Sequence, residues 1–159
     1  MDLRLEHFLP YRLNRAAAVS SRHFSRIYRA EFGLTVPEWR VLATLGQLGS
    51  ATATEIGRDS AMHKTKVSRA VSALQKRRWV ARQVDEHDRR LEHISLTTAG
   101  KAAHRRLAPK MLACEKALLA RLTPREREEM LKGLALLERA LAIPGAAADE
   151  KGTPPRGRR

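Results

Sequence analysis

The sequence predicts a mainly α fold with one small β-hairpin in its middle. Three observations carry this. Apolar residues recur every three or four positions in segments on both sides of residues 79–96, which is the period of an amphipathic helix. Between them, "WVARQV" and "LEHISL" alternate or nearly alternate apolar with polar around "DEHDRR", which is strand behaviour with a polar tip. The 159 residues are 43% hydrophobic, enough to bury a core without staples.

The elements follow in order. Residues 10–31 read as a helix with Pro10 in its first turn and Leu13, Ala17, Phe24, Ile27 and Tyr28 at helical intervals, stopped by Gly33. In "TVPEWRVLATLGQLG" Thr35 or Val36 opens a second helix. Pro37 takes its first position, Trp39, Leu42, Ala43 and Leu45 form the expected buried stripe, and Gly49 ends it. Thr52 and Glu55 have the spacing of a capping box ahead of a short helix from about Ala53 to Arg58. "DSAM" makes a turn, and a further helix runs from about His63 to Arg77. After the hairpin, Thr97 or Thr98 caps a long helix that contains Pro109. A proline there removes a hydrogen bond and crowds the carbonyl near Arg105, so a kink is expected. The last helix has Thr123 as cap, Pro124 first, Glu126, Glu128 and Glu129 at its positive end, and Met130, Leu134, Leu137 and Leu141 as its stripe. From Pro144 the composition shifts to Gly, Ala, Pro and Arg, which reads as a disordered basic tail.

Charge narrows the function. Lys and Arg number 31 against 17 Asp and Glu, a net +14, which points to a polyanionic partner. Nucleic acid fits better than a membrane surface, because no helix pairs a wide apolar face with clustered aromatics. The N-terminus has no apolar core of a signal peptide, and no apolar run approaches the ~20 residues of a bilayer span. A cytoplasmic, nucleoid-associated protein is expected. The single cysteine, Cys114, allows no internal disulfide. No nucleophile–base pair, phosphate loop or metal triad is present, and the six histidines lack ligand spacing. Neither enzyme activity, a cofactor nor a metal is therefore expected.

A short helix, a tight turn and a longer helix make a helix-turn-helix. The two helices cross closely, so small residues are needed at the crossing. Ile56 supplies the core, Gly57 the small residue, Ala61 the turn, Met62 a plug, and Val67 and Ala70 the inward face of the second helix. That helix has two faces: Val67, Ala70, Val71 and Leu74 lock it to the domain, while His63, Lys64, Thr65, Lys66, Ser68 and Arg69 face outward. Such residues can read base edges in a major groove. For any one of them alone, a solvated cation is the alternative. Arg77 and Arg78, with Thr52, are assigned to phosphate. The hairpin that follows reads as a wing: Arg90 can enter a minor groove, with Asp88 placed to clamp its guanidinium through a bidentate pair. Double-stranded DNA is the expected partner.

"VPEWRVLATL", "TATEIGRDSAMHKTKVSRAVSAL" and "VDEHDRRLEHISLTTAG" together resemble the MarR family of bacterial winged helix-turn-helix regulators over roughly residues 10–142. The resemblance implies a homodimer in which the N-terminal helix (1–34) and the C-terminal helices (98–143) interleave. They would flank a DNA-binding domain at 35–97, with the tail at 144–159. It implies a palindromic operator read by Lys64, Thr65, Lys66, Ser68 and Arg69, with Asp88 and Arg90 in the wing and Arg89 on phosphate. It implies a regulator, expected to repress, that is released by a small aromatic or phenolic acid. "EWRVLATLG" and "KTKVSRAV" are similar to members that control aromatic-acid catabolism. Candidate pocket residues are His7, Phe8, Tyr11, Arg15, His23, Trp39 and Arg40: stacking walls and cations for a carboxylate. The alternatives are an architectural, nonspecific DNA binder assisted by the tail, and a redox-sensing regulator acting through Cys114.

Overall fold

The computed structural model describes residues 2–85, 88 and 90–143. The expected basic tail and Arg89 lie outside the described residues. The elements are α1 (Leu9–Phe32), α2 (Val36–Leu48), β1 (Ser50–Thr52), α3 (Ala53–Asp59), α4 (Lys64–Lys76), β2 (Val80–Val84), β3 (Glu92–Leu96), α5 (Thr98–Leu119) and α6 (Pro124–Ala140). The chain divides into two compact units, Met1–Cys114 and Glu115–Arg159. No helix of the described residues is long and apolar enough to cross a membrane.

The first unit holds the hydrophobic core. Glu38, Val41, Leu42 and Leu45 form the buried stripe of α2, an i, i+3, i+4, i+7 pattern. Trp39 and Ala43, expected in that stripe, sit at its edges and are half-buried. Glu38 is buried because its carboxylate accepts the Thr35 N–H at 2.7 Å as half of a capping box, so the charge is satisfied. The core also takes in Tyr28 and Leu34 before the 35–97 segment, and Leu107 after it. The end of α1 and the first half of α5 are therefore part of the same packing. Gly33 ends α1 as expected, at φ 63° with its N–H on the Arg29 carbonyl.

The sheet has three strands, in the order β1-β3-β2. The hairpin was expected and β1 was not: three residues are too few to show a period. β1 pairs antiparallel with β3, Ala51 opposite Ile94 and Thr52 opposite His93. On the other edge Val80 lies opposite Leu96, Arg82 opposite Ile94 and Val84 opposite Glu92. Opposed residues share a face. That face buries Val80, Ile94 and Leu96 at the base of the hairpin and exposes Arg82, Val84 and Glu92 towards its tip.

Thr97 carries the chain from β3 into α5. Its hydroxyl donates to the Arg78 carbonyl at 2.7 Å and accepts the Gly100 N–H at 3.1 Å. α5 then runs through Pro109 to Leu119 as one helix.

Ala61, in the turn between α3 and α4, has φ 50°. This left-handed conformation costs a residue with a Cβ about 1 kcal/mol. Ala61→Gly is expected to leave stability unchanged or raise it by up to about 0.5 kcal/mol, read as a small rise in Tm; a fall in Tm would show that the Ala61 methyl packs productively.

In the second unit, α6 begins with a third capping box, Thr123–Glu126. It buries none of its residues. Met130, Leu131, Leu134 and Leu136 are exposed and so is Leu141 just after it, while Leu137 is half-buried, so most of its apolar stripe has no cover among the described residues.

Candidate nucleic-acid interface

The helix-turn-helix is held by close backbone approach. A Cβ on Gly57 would lie 3.0 Å from the Met62 carbonyl oxygen, and the Met62 N–H donates to the Gly57 carbonyl at 2.9 Å. Ile56, Val67, Val71 and Leu74 are fully buried and Ala70 nearly so, as the small-residue pattern predicts. Fixing that face turns the other one outward: His63, Lys64, Thr65, Lys66, Ser68 and Arg69 are all exposed.

α4 starts differently from α2, α3 and α6, and shares with α1 and α5 the lack of an acid in its first turn. α2, α3 and α6 each start with a threonine cap and a glutamate three residues on, which suits the positive end of a helix dipole. α4 has His63 as N-cap with no side-chain cap bond and no acid in its first turn. It places Lys64 and Lys66 there instead, against its own dipole. Lys64, Lys66 and Arg69 form no ion pair among the described residues. A local rule broken at an exposed position marks a site where something else supplies the negative charge.

Between α4 and the hairpin lies a cleft of about 340 Å³ lined by Thr52, Thr54, Lys64, Ser68, Arg82, Arg90 and Glu92, among others. Arg82 is held by Glu92 at 2.9 Å, a diagonal pair across β2 and β3. The reading from sequence missed Arg82 and Thr54. The signal for Arg82 was its place in step with Val80, which puts it on the core-side face of the hairpin. The Arg90 guanidinium makes no hydrogen bond or ion pair among the described residues and is exposed, which leaves it free for an external acceptor.

The expected Asp88–Arg90 clamp takes a different form. Asp88 Oδ1 accepts the backbone N–H of Arg90 at 2.9 Å, not its guanidinium. An aspartate two residues ahead of an N–H closes this local turn at little entropic cost. Asp88 therefore shapes the loop and leaves the Arg90 head unclamped. Of the four residues assigned to phosphate, Arg89 lies outside the described residues and two of the other three are engaged internally. Arg77 donates to the Phe32 carbonyl at 2.8 Å and lies over the Trp79 ring at 5.5 Å. The Thr52 hydroxyl donates to Glu55 at 2.9 Å and accepts its N–H at 3.3 Å. Arg78 is exposed, at φ 59°. The Glu55 carboxyl is held below the usual carboxylate range, first by the Thr52 N–H and then by the Thr52 hydroxyl, with Arg58 and His93 adding to the effect against burial.

Residues 32–91 match the MarR family model. A MarR family transcriptional regulator from Silicibacter pomeroyi DSS-3 is 31% identical, with 88% of this chain and 99% of that one covered and a TM-score of 0.75. The chain belongs to the MarR family. A second similar structure, a MarR family transcriptional regulator from Streptomyces coelicolor in complex with DNA, is 25% identical, covers 93% of this chain and 94% of its own, and has a TM-score of 0.75. YfiV of Bacillus subtilis, an uncharacterized HTH-type transcriptional regulator, is 29% identical over 108 residues, 68% of each chain. As a MarR-family protein the chain is a winged-helix, DNA-binding transcriptional regulator and not an enzyme.

The effector-site candidates of this MarR-family chain do not converge on one pocket. Trp39 stacks between Tyr28, at 5.6 Å and 15°, and His104, at 6.5 Å and 11°. Burial, above all, pushes the Tyr28 hydroxyl above its usual pKa. Tyr11, with Arg15 over its ring at 5.9 Å, lies 17 residues before Tyr28 on α1, about 25 Å along the helix axis. His23 meets Phe24 edge-on at 5.5 Å, Arg40 donates to the Ser60 carbonyl at 3.2 Å, and His7 and Phe8 are exposed ahead of α1. A cavity of about 240 Å³ lies instead at α2 and α5, lined by Leu45, Gly46, Gly49, Leu96, Lys101, His104 and Arg105. The His104 ring lies against Gly46, where a Cβ would come within 2.3 Å of Nε2. Cys114 is half-buried and free.

Proposed function

We propose that the protein is a homodimeric cytoplasmic repressor that binds a palindromic operator and is released by a small aromatic acid. The observation that carries the DNA-reading part is the first turn of α4, where Lys64 and Lys66 stand against the helix dipole and Lys64 lines the cleft that also holds Arg90. Phosphate and base edges supply the acceptors this surface lacks. Dimerisation is supported by the exposed Leu131, Leu134 and Leu136 of α6, and two copies would set recognition helices about 34 Å apart in successive major grooves. An aromatic carboxylate suits the cavity at His104, where Lys101 and Arg105 supply cations and the Trp39–His104 stack an apolar, planar neighbour. A sequence-independent architectural role is the reading that the +14 charge alone supports.

Selection of genomic fragments by the full-length protein at physiological salt separates the two. An enriched inverted repeat is expected, and its absence would leave only the architectural role. Lys66→Glu sharpens the test. It puts an acid at the third position of α4, so Tm is expected to rise slightly, by the equivalent of about 0.5 kcal/mol, while affinity for the enriched duplex falls by at least roughly tenfold. Undiminished binding would remove Lys66 from the interface. Leu134→Arg is expected to shift the dimer towards monomer in light scattering at micromolar concentration, since it buries a charge in an apolar contact. A variant that stays dimeric would move the interface elsewhere. For the effector, benzoate, salicylate and hydroxycinnamates are screened by thermal shift and then by release of the duplex; stabilisation without release would exclude them as inducers.

A further inference from the structure

The tip of the wing is tied to the rest of the domain by two residues that lie outside the DNA-contact set. Asp85 ends β2. Its Oδ2 meets His93 Nε2 at 3.0 Å, its Oδ1 accepts the Asp88 N–H at 2.9 Å, and its own N–H donates to the Leu91 carbonyl at 2.9 Å. Asp88 in turn accepts the Arg90 N–H at 2.9 Å, and its carbonyl accepts the Leu91 N–H at 2.9 Å. A hydrogen-bonded path therefore runs from His93 through Asp85 and Asp88 to the backbone of Arg90.

His93 sits in the middle strand. It is opposite Gln83 on the β2 side and opposite Thr52 on the β1 side. Thr52 is the residue that, with Glu55, caps the first helix of the helix-turn-helix. One side chain on β3 thus anchors the wing tip to the strand that borders the start of the motif. The wing and α4 must reach two different grooves at once, so their relative placement matters as much as their charges. Ordering a loop in advance removes the entropy that binding would otherwise have to supply.

We infer that Asp85 and His93 are a positioning pair for DNA binding: they hold the loop so that Arg90 is presented beside α4, without touching DNA themselves. This rests on the reading of Arg90 as a DNA contact.

The test uses the full-length protein and the duplex it enriches from a random-sequence library, with affinity measured at matched salt. His93→Ala and Asp85→Ala are each expected to weaken binding roughly tenfold. His93→Gln, which keeps a donor within reach of Asp85, should bind within about threefold of the parent. His93→Ala added to Arg90→Ala should cost nothing further, because the pair acts only through Arg90. In the protein without DNA, amide exchange at Asp88, Arg90 and Leu91 should speed up in His93→Ala and Asp85→Ala, but not in His93→Gln, with the amides of α4 unchanged. Parental affinity in both alanine variants, a full additional loss in the double variant, or unaltered exchange would each overturn the inference. If Arg90→Ala itself binds like the parent, the wing reading fails and takes this inference with it. If Arg90→Ala is weak while the alanine variants at 85 and 93 are normal, only the positioning pair is lost.

Discussion

Gly100→Ala is expected to destabilise the first unit by about 3 kcal/mol, seen as a fall in Tm of roughly 10–20 °C. A Cβ on Gly100 would lie 2.0 Å from the Trp79 carbonyl oxygen and 3.0 Å from its carbon. Both are backbone atoms, so no rotamer change relieves the clash. Nor can the two segments slide apart cheaply. The same Trp79 oxygen accepts the Thr97 N–H at 3.0 Å, and the Gly100 N–H is bonded to the Thr97 hydroxyl. The contrast is Gly46, where the clashing neighbour is the ring of His104, a side chain that can turn. A Tm for Gly100→Ala within about 3 °C of the parent would mean that the turn from β3 into α5 has more slack than these distances allow.

Arg90→Ala is the change expected to have the largest effect on DNA binding. The guanidinium is exposed, makes no bond among the described residues, and lines the same cleft as Lys64 and Ser68. A minor-groove arginine contributes about 1.5 kcal/mol, and a dimer has two wings. Operator affinity should therefore fall by about two orders of magnitude, with the dimer and Tm unchanged. Because each arginine also displaces counterions, the slope of log affinity against log salt should shrink by about two. An affinity within threefold of the parent, in a variant shown to be dimeric, would take the wing out of DNA recognition; that margin is about 0.6 kcal/mol.

Much of this was legible in the residues. Thr52 and Glu55, Pro124, Gly33 and the Gly57–Ala61–Met62 series each specify their element through atoms no more than a few positions away. The outward set on α4 follows from 3.6-residue periodicity once Val67, Ala70, Val71 and Leu74 are taken as core, and all four are buried. The misses have a common origin. Trp39 was placed in the stripe of α2 on its apolarity, whereas the neighbours of α2 select Glu38, Val41, Leu42 and Leu45. The Asp88–Arg90 pairing was right about the partners and wrong about the atoms: the reach of the Asp88 carboxylate allows either donor of Arg90, and the tight loop selects the backbone N–H. Arg82 and Thr54 were missed because the cleft that unites them is built from five separate elements, β1, α3, α4, β2 and β3.

The sequence by itself determined the order of the elements, their caps and stops, the helix-turn-helix and the cationic face of α4, because periodicity, capping and steric crossing are encoded over short spans. The tertiary structure decided the pairing of β1 with β3, the approach of Gly100 to Trp79, the cleft that joins Lys64 to Arg82 and Arg90, and the tie from His93 to the wing. Each of these depends on which atoms meet once distant segments pack, and residue type alone does not say which partner lies within hydrogen-bond reach.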